Sequence, residues 1–245
     1  MPGATLTLGL NNFILNPPSN SGVTVANVGS ANFDVSTDST SVTPLVVKTS
    51  TDPTESATAH TVTFKTALGA VDVDTTLQAS GTTDRGDRIT FQQTVGDAKV
   101  KAGDSGAPPQ VVSGDTVTFQ GGLGSGSTIV TGSGRDSVLF ASSAANAYSG
   151  TAGTNLVSTG AGSDSIRFSS TTQVGPDITL DFGTPGATDL DILFGAAKST
   201  FQSAGLQIVN FSQGFDQVRV GDTTLKTQTE INTFFGDSGQ SIKLV

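Results

Sequence analysis

Oxygen-bearing side chains recur at a nearly fixed spacing in one stretch of the chain. Ser127, Asp136, Asn146, Asn155 and Asp164 follow one another at steps of 9, 10, 9 and 9 residues. Each stands two places before an apolar residue, in turn Ile129, Val138, Tyr148, Val157 and Ile166. Carboxylate and amide oxygens, backed by the carbonyls of a Gly-rich turn, are the ligands of a hard cation. Gly134, Gly153 and Gly162 supply such turns, so the chemistry these residues could do is calcium binding. Other chemistry is poorly provided for. The chain has no Cys and one His, His60, which excludes thiol chemistry and leaves no ligand set for zinc. No Gly-x-Ser-x-Gly elbow precedes a helical segment. Gly124-Ser125-Gly126 and Gly132-Ser133-Gly134 are followed by no Lys and no helix, so they are not phosphate loops. Asp72 and Asp74 share one face of a strand, as a glycosidase pair would, but solvated face residues are the better reading. No enzyme is expected.

The elements that position the Asp/Asn series are short. Gly132-Ser133-Gly134-Arg135-Asp136-Ser137-Val138-Leu139-Phe140 and Gly160-Ala161-Gly162-Ser163-Asp164-Ser165-Ile166-Arg167-Phe168 are its clearest copies. A unit of about nine residues cannot fold alone, so copies must stack, two of them making a coil of about eighteen residues. The strands then form two parallel sheets, with the apolar member of each strand pointing between them. Upstream, Gly86-Asp87, Gly96-Asp97 and Gly114-Asp115 each open an alternating strand, which fits a solenoid edge and an ordinary hairpin equally well. Residues 1–80 alternate apolar and polar over Thr5–Leu10, Gly22–Val28, Asn32–Ser36, Leu45–Thr49, His60–Thr66 and Val71–Leu77. The expected class is all-β. A β-sandwich-like or irregular β lobe (1–80) precedes a parallel β-roll or β-solenoid (81–170, best defined over 121–170), and a C-terminal capping segment (171–245) follows. Short helices are expected at Ala196–Gln202 and at Thr229–Phe234 with Thr229 as cap. Phe201, Phe211, Phe215, Phe234 and Phe235 are expected to form the core of the cap.

Composition agrees with a stacked β architecture. Hydrophobic residues make up 35% and charged residues 13%, too few for the thick core and charged surface of an ordinary globular enzyme. Net charge is −9, and among 21 acids only Glu55 and Glu230 are Glu. Asp favours turns and hard cations, whereas the helix-surface acid is nearly missing. The acidity argues against nucleic acid, and no apolar run is long enough to span a membrane. The first basic residue is Lys48, so an ordinary secretory signal is not expected at the start of this chain.

The repeated segment resembles the RTX nonapeptide Gly-Gly-x-Gly-x-Asp-x-apolar-x of calcium β-rolls. The stretch from Ile178 through Asp181-Phe182-Gly183 to Asp189-Leu190-Asp191-Ile192 resembles the segment that closes such rolls. The resemblance covers about residues 121–245. It implies calcium between stacked turns, pairing Asp136 with Asn155 and Asn146 with Asp164, flanked by Gly134, Gly153 and Gly162. Asp189 and Asp191 would belong to the closing segment. Because Asn or Ser replaces the turn Asp in three copies, calcium occupancy is expected to be weak or partial. The resemblance further implies type I secretion on an uncleaved C-terminal signal, and so an extracellular or cell-surface location. The leading expectation is an exported bacterial surface structural protein that self-assembles into a filament or surface layer. Alternatives are a calcium-dependent adhesin or carbohydrate-binding module recognising a cell-surface polysaccharide, and a phage or viral structural protein.

Overall fold

A computed structural model describes residues 44–47, 61–75, 86–102, 114–142, 155–169, 174, 178–184, 189–202 and 204–245 in full, and the backbone of strands at 5–7, 13–15, 24–28, 32–35 and 48–49. Asn146, Tyr148, Gly153 and His60 lie outside the described residues. The chain winds as a parallel β-solenoid. One sheet, A, contains in order β1 (Thr5–Thr7), β3 (Thr24–Val28), β5 (Leu45–Thr49), β7 (Leu68–Asp74), β9 (Val95–Lys101), β11 (Thr128–Val130), β14 (Asn155–Ser158), β17 (Ile178–Asp181), β19 (Leu206–Val209) and β22 (Ile242–Leu244). The facing sheet, B, contains β2 (Phe13–Leu15), β4 (Asn32–Val35), β6 (Thr61–Phe64), β8 (Arg88–Phe91), β10 (Thr116–Phe119), β13 (Ser137–Phe140), β16 (Ser165–Phe168), β18 (Ile192–Gly195), β20 (Gln217–Val220) and β21 (Thr223–Leu225). A narrow third sheet pairs β12 (Ser133–Gly134) with β15 (Ala161–Gly162).

The all-β class and the parallel solenoid are as read from the sequence, and the six N-terminal strands read there all overlap observed strands. Those strands do not form a layer of their own. Strands β1 to β7 pair in parallel within the same two sheets as the later coils, up to β6 against β8 and β7 against β9. Alternation of apolar and polar residues fixes which face of a strand is buried, but it does not say whether the partner strand comes from a hairpin or from the next coil.

The coil length also differs from expectation. Asp136 and Asp164 occupy equivalent places on adjacent coils, 28 residues apart, and Ser127 and Asn155 do likewise, also at 28. These coils are therefore three nonapeptide-sized segments rather than two, while others are shorter, Asp115 and Asp136 being 21 residues apart. The strands of a coil lie in sheet B, in sheet A and, for two coils, in the small third sheet. Nine-residue spacing counts sides of a coil, and the number of sides is not written in the spacing.

The interior is filled by columns that run from coil to coil. Phe64, Phe91, Phe119, Phe140 and Phe168 stack with ring centroids 4.8, 4.9, 5.4 and 4.6 Å apart and nearly parallel planes. Beside them run Val62, Ile89, Val117, Val138, Ile166, Leu193 and Val218, all buried. Each Phe removes its whole ring from water and adds a stacking contact worth about 0.5–1.5 kcal/mol per pair. At the next coil the column meets Gly195, in register with Phe168. There Phe201, from the short helix α1 (Lys198–Phe201), takes over and meets Phe168 edge-on at 5.7 Å.

The C-terminal end is closed in both sheets. In sheet B, β21 turns back antiparallel on β20. In sheet A, helix α2 (Gln228–Phe235) packs on β22, and the Gln228 amide accepts the Leu244 N–H at 2.7 Å while donating to the Ile242 carbonyl at 3.0 Å. Thr227, not Thr229, caps this helix: its hydroxyl accepts the Glu230 N–H, and the Glu230 carboxylate accepts the Thr227 N–H. Phe201 and Phe235 are buried in this cap, Phe211 and Phe234 pack against it, and Phe215 does not join it, being 62% exposed.

Candidate functional site: a buried aspartate column

Six strands of sheet B are entered through the same local sequence. Asp87-Arg88-Ile89-Thr90-Phe91, Asp115-Thr116-Val117-Thr118-Phe119, Asp136-Ser137-Val138-Leu139-Phe140 and Asp164-Ser165-Ile166-Arg167-Phe168 share Asp-x-apolar-x-Phe. Asp191-Ile192-Leu193 and Asp216-Gln217-Val218 continue its first half. Because strand side chains alternate, the Asp points inward with the apolar residue and the Phe. All six aspartates are buried, at 0–2% exposure.

Their carboxylates are held by backbone. Asp115 Oδ1 accepts the Asp87 N–H at 2.6 Å, Asp136 Oδ1 that of Asp115 at 2.8 Å, and Asp164 Oδ1 that of Asp136 at 2.8 Å. Asp191 Oδ1 then accepts the Asp164 N–H at 2.8 Å and Asp216 Oδ1 that of Asp191 at 3.1 Å. Each side chain thus ties its own coil to the preceding one at the corner where strand pairing begins. The column ends at Asp216, whose Oδ2 accepts the Ser212 N–H at 2.6 Å. A shorter polar column runs on the sheet A side, where Ser127 Oγ accepts the Ala98 N–H and Asn155 Oδ1 the Ser127 N–H, both at 3.0 Å.

Stacked carboxylates in a dry interior disfavour charge. Burial lifts the Asp164 carboxyl from an ordinary 3.8 to about 8, opposed by the hydrogen bond from the Asp136 backbone and reinforced by the charges of Asp136 and Asp191. Burial likewise lifts Asp191 to about 7, with Asp216 and Asp189 adding to it. Asp216 is raised for the same first reason, and the N–H groups of Ser212 and Asp191 oppose the rise.

The residues read as calcium ligands are therefore placed differently from the arrangement the resemblance implies. Asp136 and Asn155 do not come together: one belongs to the column entering sheet B, the other to the column entering sheet A. Asp136 pairs instead with Asp164. Gly134 and Gly162 are Cα partners in the third sheet, where a Cβ on Gly162 would sit 1.7 Å from the Gly134 carbonyl oxygen. Close stacking of backbone accounts for these glycines. Asp189 is half-buried in the segment just before β18, and Asp191 belongs to the column. Among the described residues no group of three or more His, Cys, Asp or Glu could hold a metal ion. The Oδ1 atoms of the column serve backbone amides of the neighbouring coil.

Sequence reasoning missed Asp87, Asp115 and Asp216 as members of one series. Their signal was present in the Asp-x-apolar opening of each strand, extended to Asp-x-apolar-x-Phe in four of the six, at steps of 28, 21, 28, 27 and 25 residues. The unequal steps conceal it from a search for a fixed period. No family model, no curated protein and no solved structure matches the chain.

Proposed function

We propose that the chain is a non-catalytic structural protein, a rigid solenoid rod that works at the cell surface through its outer faces. The observation that carries this reading is the aspartate column. Five buried aspartates, Asp115, Asp136, Asp164, Asp191 and Asp216, are spent inside the rod as acceptors for backbone amides, where they tie coil to coil. Self-association into a filament or surface layer goes with this reading, since two ten-stranded sheets offer a second copy long repeating outer faces. The covered C-terminal end directs such growth to the sides of the rod. Export by a type I route rests on the resemblance of the repeats and the closing segment to RTX proteins. Calcium, on this reading, is not required for the coils to stack.

Electron microscopy of the purified chain tests the proposal, with calcium and with chelator. Ordered polymers in both conditions are expected, and monodisperse particles in both would overturn the self-assembling reading. Polymers with calcium alone would return the ion to a structural role.

A further inference from the structure

The outer face of sheet B sorts charge in a way the fold does not require. From β6 to β20 the outward positions alternate with the buried columns. The charged residues standing there are Arg88, Arg167 and Arg219, with no acid among them, in a chain whose net charge is −9. Sheet A, by contrast, mixes Asp72, Asp74 and Asp181 with Lys99, Lys101 and Lys243 on its strands.

Two of the three arginines converge on one ring. Arg167, Phe194 and Arg219 are Cα partners on successive strands. They therefore stand in line along the rod, with roughly 10 Å between the two arginine backbones at about 4.8 Å per strand. The Arg167 and Arg219 guanidinium carbons lie 5.8 and 5.4 Å from the Phe194 ring centroid. Arg219 Nε donates to Gln217 Oε1 at 2.7 Å, which helps hold the guanidinium in place. Two like charges beside one aromatic, on the outer face of the sheet, invite an anion that also carries an apolar surface. Guanidinium groups bind carboxylates in a planar, bidentate manner, and an aromatic ring takes the C–H face of a sugar.

We propose that this face, centred on Phe194 between Arg167 and Arg219, binds an acidic polysaccharide lying along the rod. Its carboxylates engage the two guanidiniums and a sugar ring packs on Phe194. Nucleic acid is the competing polyanion, and it would engage the guanidiniums through phosphates rather than through the planar carboxylates they match, so an oligothymidylate serves as the contrasting probe. The inference goes beyond the structural role by giving the rod a ligand.

The test is calorimetric titration of the full chain, in chelator so that calcium cannot cross-link the polymer. The probes are polygalacturonate, neutral dextran and an oligothymidylate. Polygalacturonate is expected to bind, and more weakly as salt rises. Arg167→Gln with Arg219→Gln should weaken it at least about tenfold, as should Phe194→Thr, which keeps both charges. Lys99→Gln with Lys101→Gln removes the same charge from the other sheet and should change binding less than about twofold. No binding by the unaltered chain, equal binding of dextran, tighter binding of the oligothymidylate, or an equal loss in the lysine variant would each overturn the proposal. If the arginine variant melts at a lower temperature, Phe194→Thr decides, and unchanged affinity there overturns it.

Discussion

An inward-pointing acid in a solenoid is stabilised by the backbone it binds and destabilised by its own charge, and at Asp164 and Asp191 the charge is the larger effect. Their raised values, about 8 and about 7, mean that the folded chain holds protons that the unfolded chain has released. The sign follows from linkage: stability from these groups is complete below about pH 4 and is lost as the pH rises through 7 to 8. Urea midpoints should therefore be higher at pH 5 than at pH 9. Asp164→Asn keeps the Oδ1 acceptor for the Asp136 N–H without the charge. It should flatten that dependence and raise the midpoint at pH 9; a lower midpoint there would show that the ionised carboxylate is needed. At Gly160 the constraint is steric. Its φ is +79°, and a Cβ would stand 1.6 Å from the Gly132 carbonyl oxygen of the coil below. Gly160→Ala should destabilise by more than about 2 kcal/mol in denaturant unfolding, since backbone on both sides must shift.

At the scale of elements, the Phe column is a series of equal contacts, and it should respond like a well-packed core. Phe119→Ala, between two stacked rings, is expected to cost about 3–5 kcal/mol, measured by the same unfolding assay. A cost below about 1 kcal/mol would mean that the rings are not stacked inside. The strands themselves were legible: Val138, Val157 and Ile166 point inward as their spacing predicts. The pairing between strands was not, because neighbours in a solenoid are set by how many sides a coil has. That number depends on turns such as Ser133–Gly134, whose two-residue strand carries no periodic signal. Phe201 was legible as a core residue, but its place in the column was not. It reaches the gap over Gly195 from α1, which lies within the helix expected at Ala196–Gln202, but a helix read from pattern does not say which ring of the preceding coil its Phe will meet. The exposure of Phe215 was missed for a related reason, since an apolar residue in a loop carries no face.

For the whole molecule, the central claim is that one parallel solenoid runs through the described chain, with coils that differ in length and advance by 28 residues from Asp136 to Asp164, and with aspartates tying its sheet B corners. Melting across a calcium titration bears on the second half: the midpoint should stay constant, whereas an ion that bound only the folded state would raise stability by about 2.7 kcal/mol at a hundredfold excess over its Kd. The first half is tested most directly by cross-linking, because the chain has no cysteine of its own. Ser137 and Ser165 are Cα partners, with hydroxyl oxygens 3.3 Å apart, and neighbouring parallel strands are spaced within disulfide range at about 4.8 Å. Ser137→Cys with Ser165→Cys should close a disulfide under mild oxidation, whereas Ser137→Cys with Leu156→Cys, the pair that would be brought together if Asp136 stood against Asn155, should stay reduced. The opposite result, a bridge from 137 to 156 and none from 137 to 165, would contradict the coil described here.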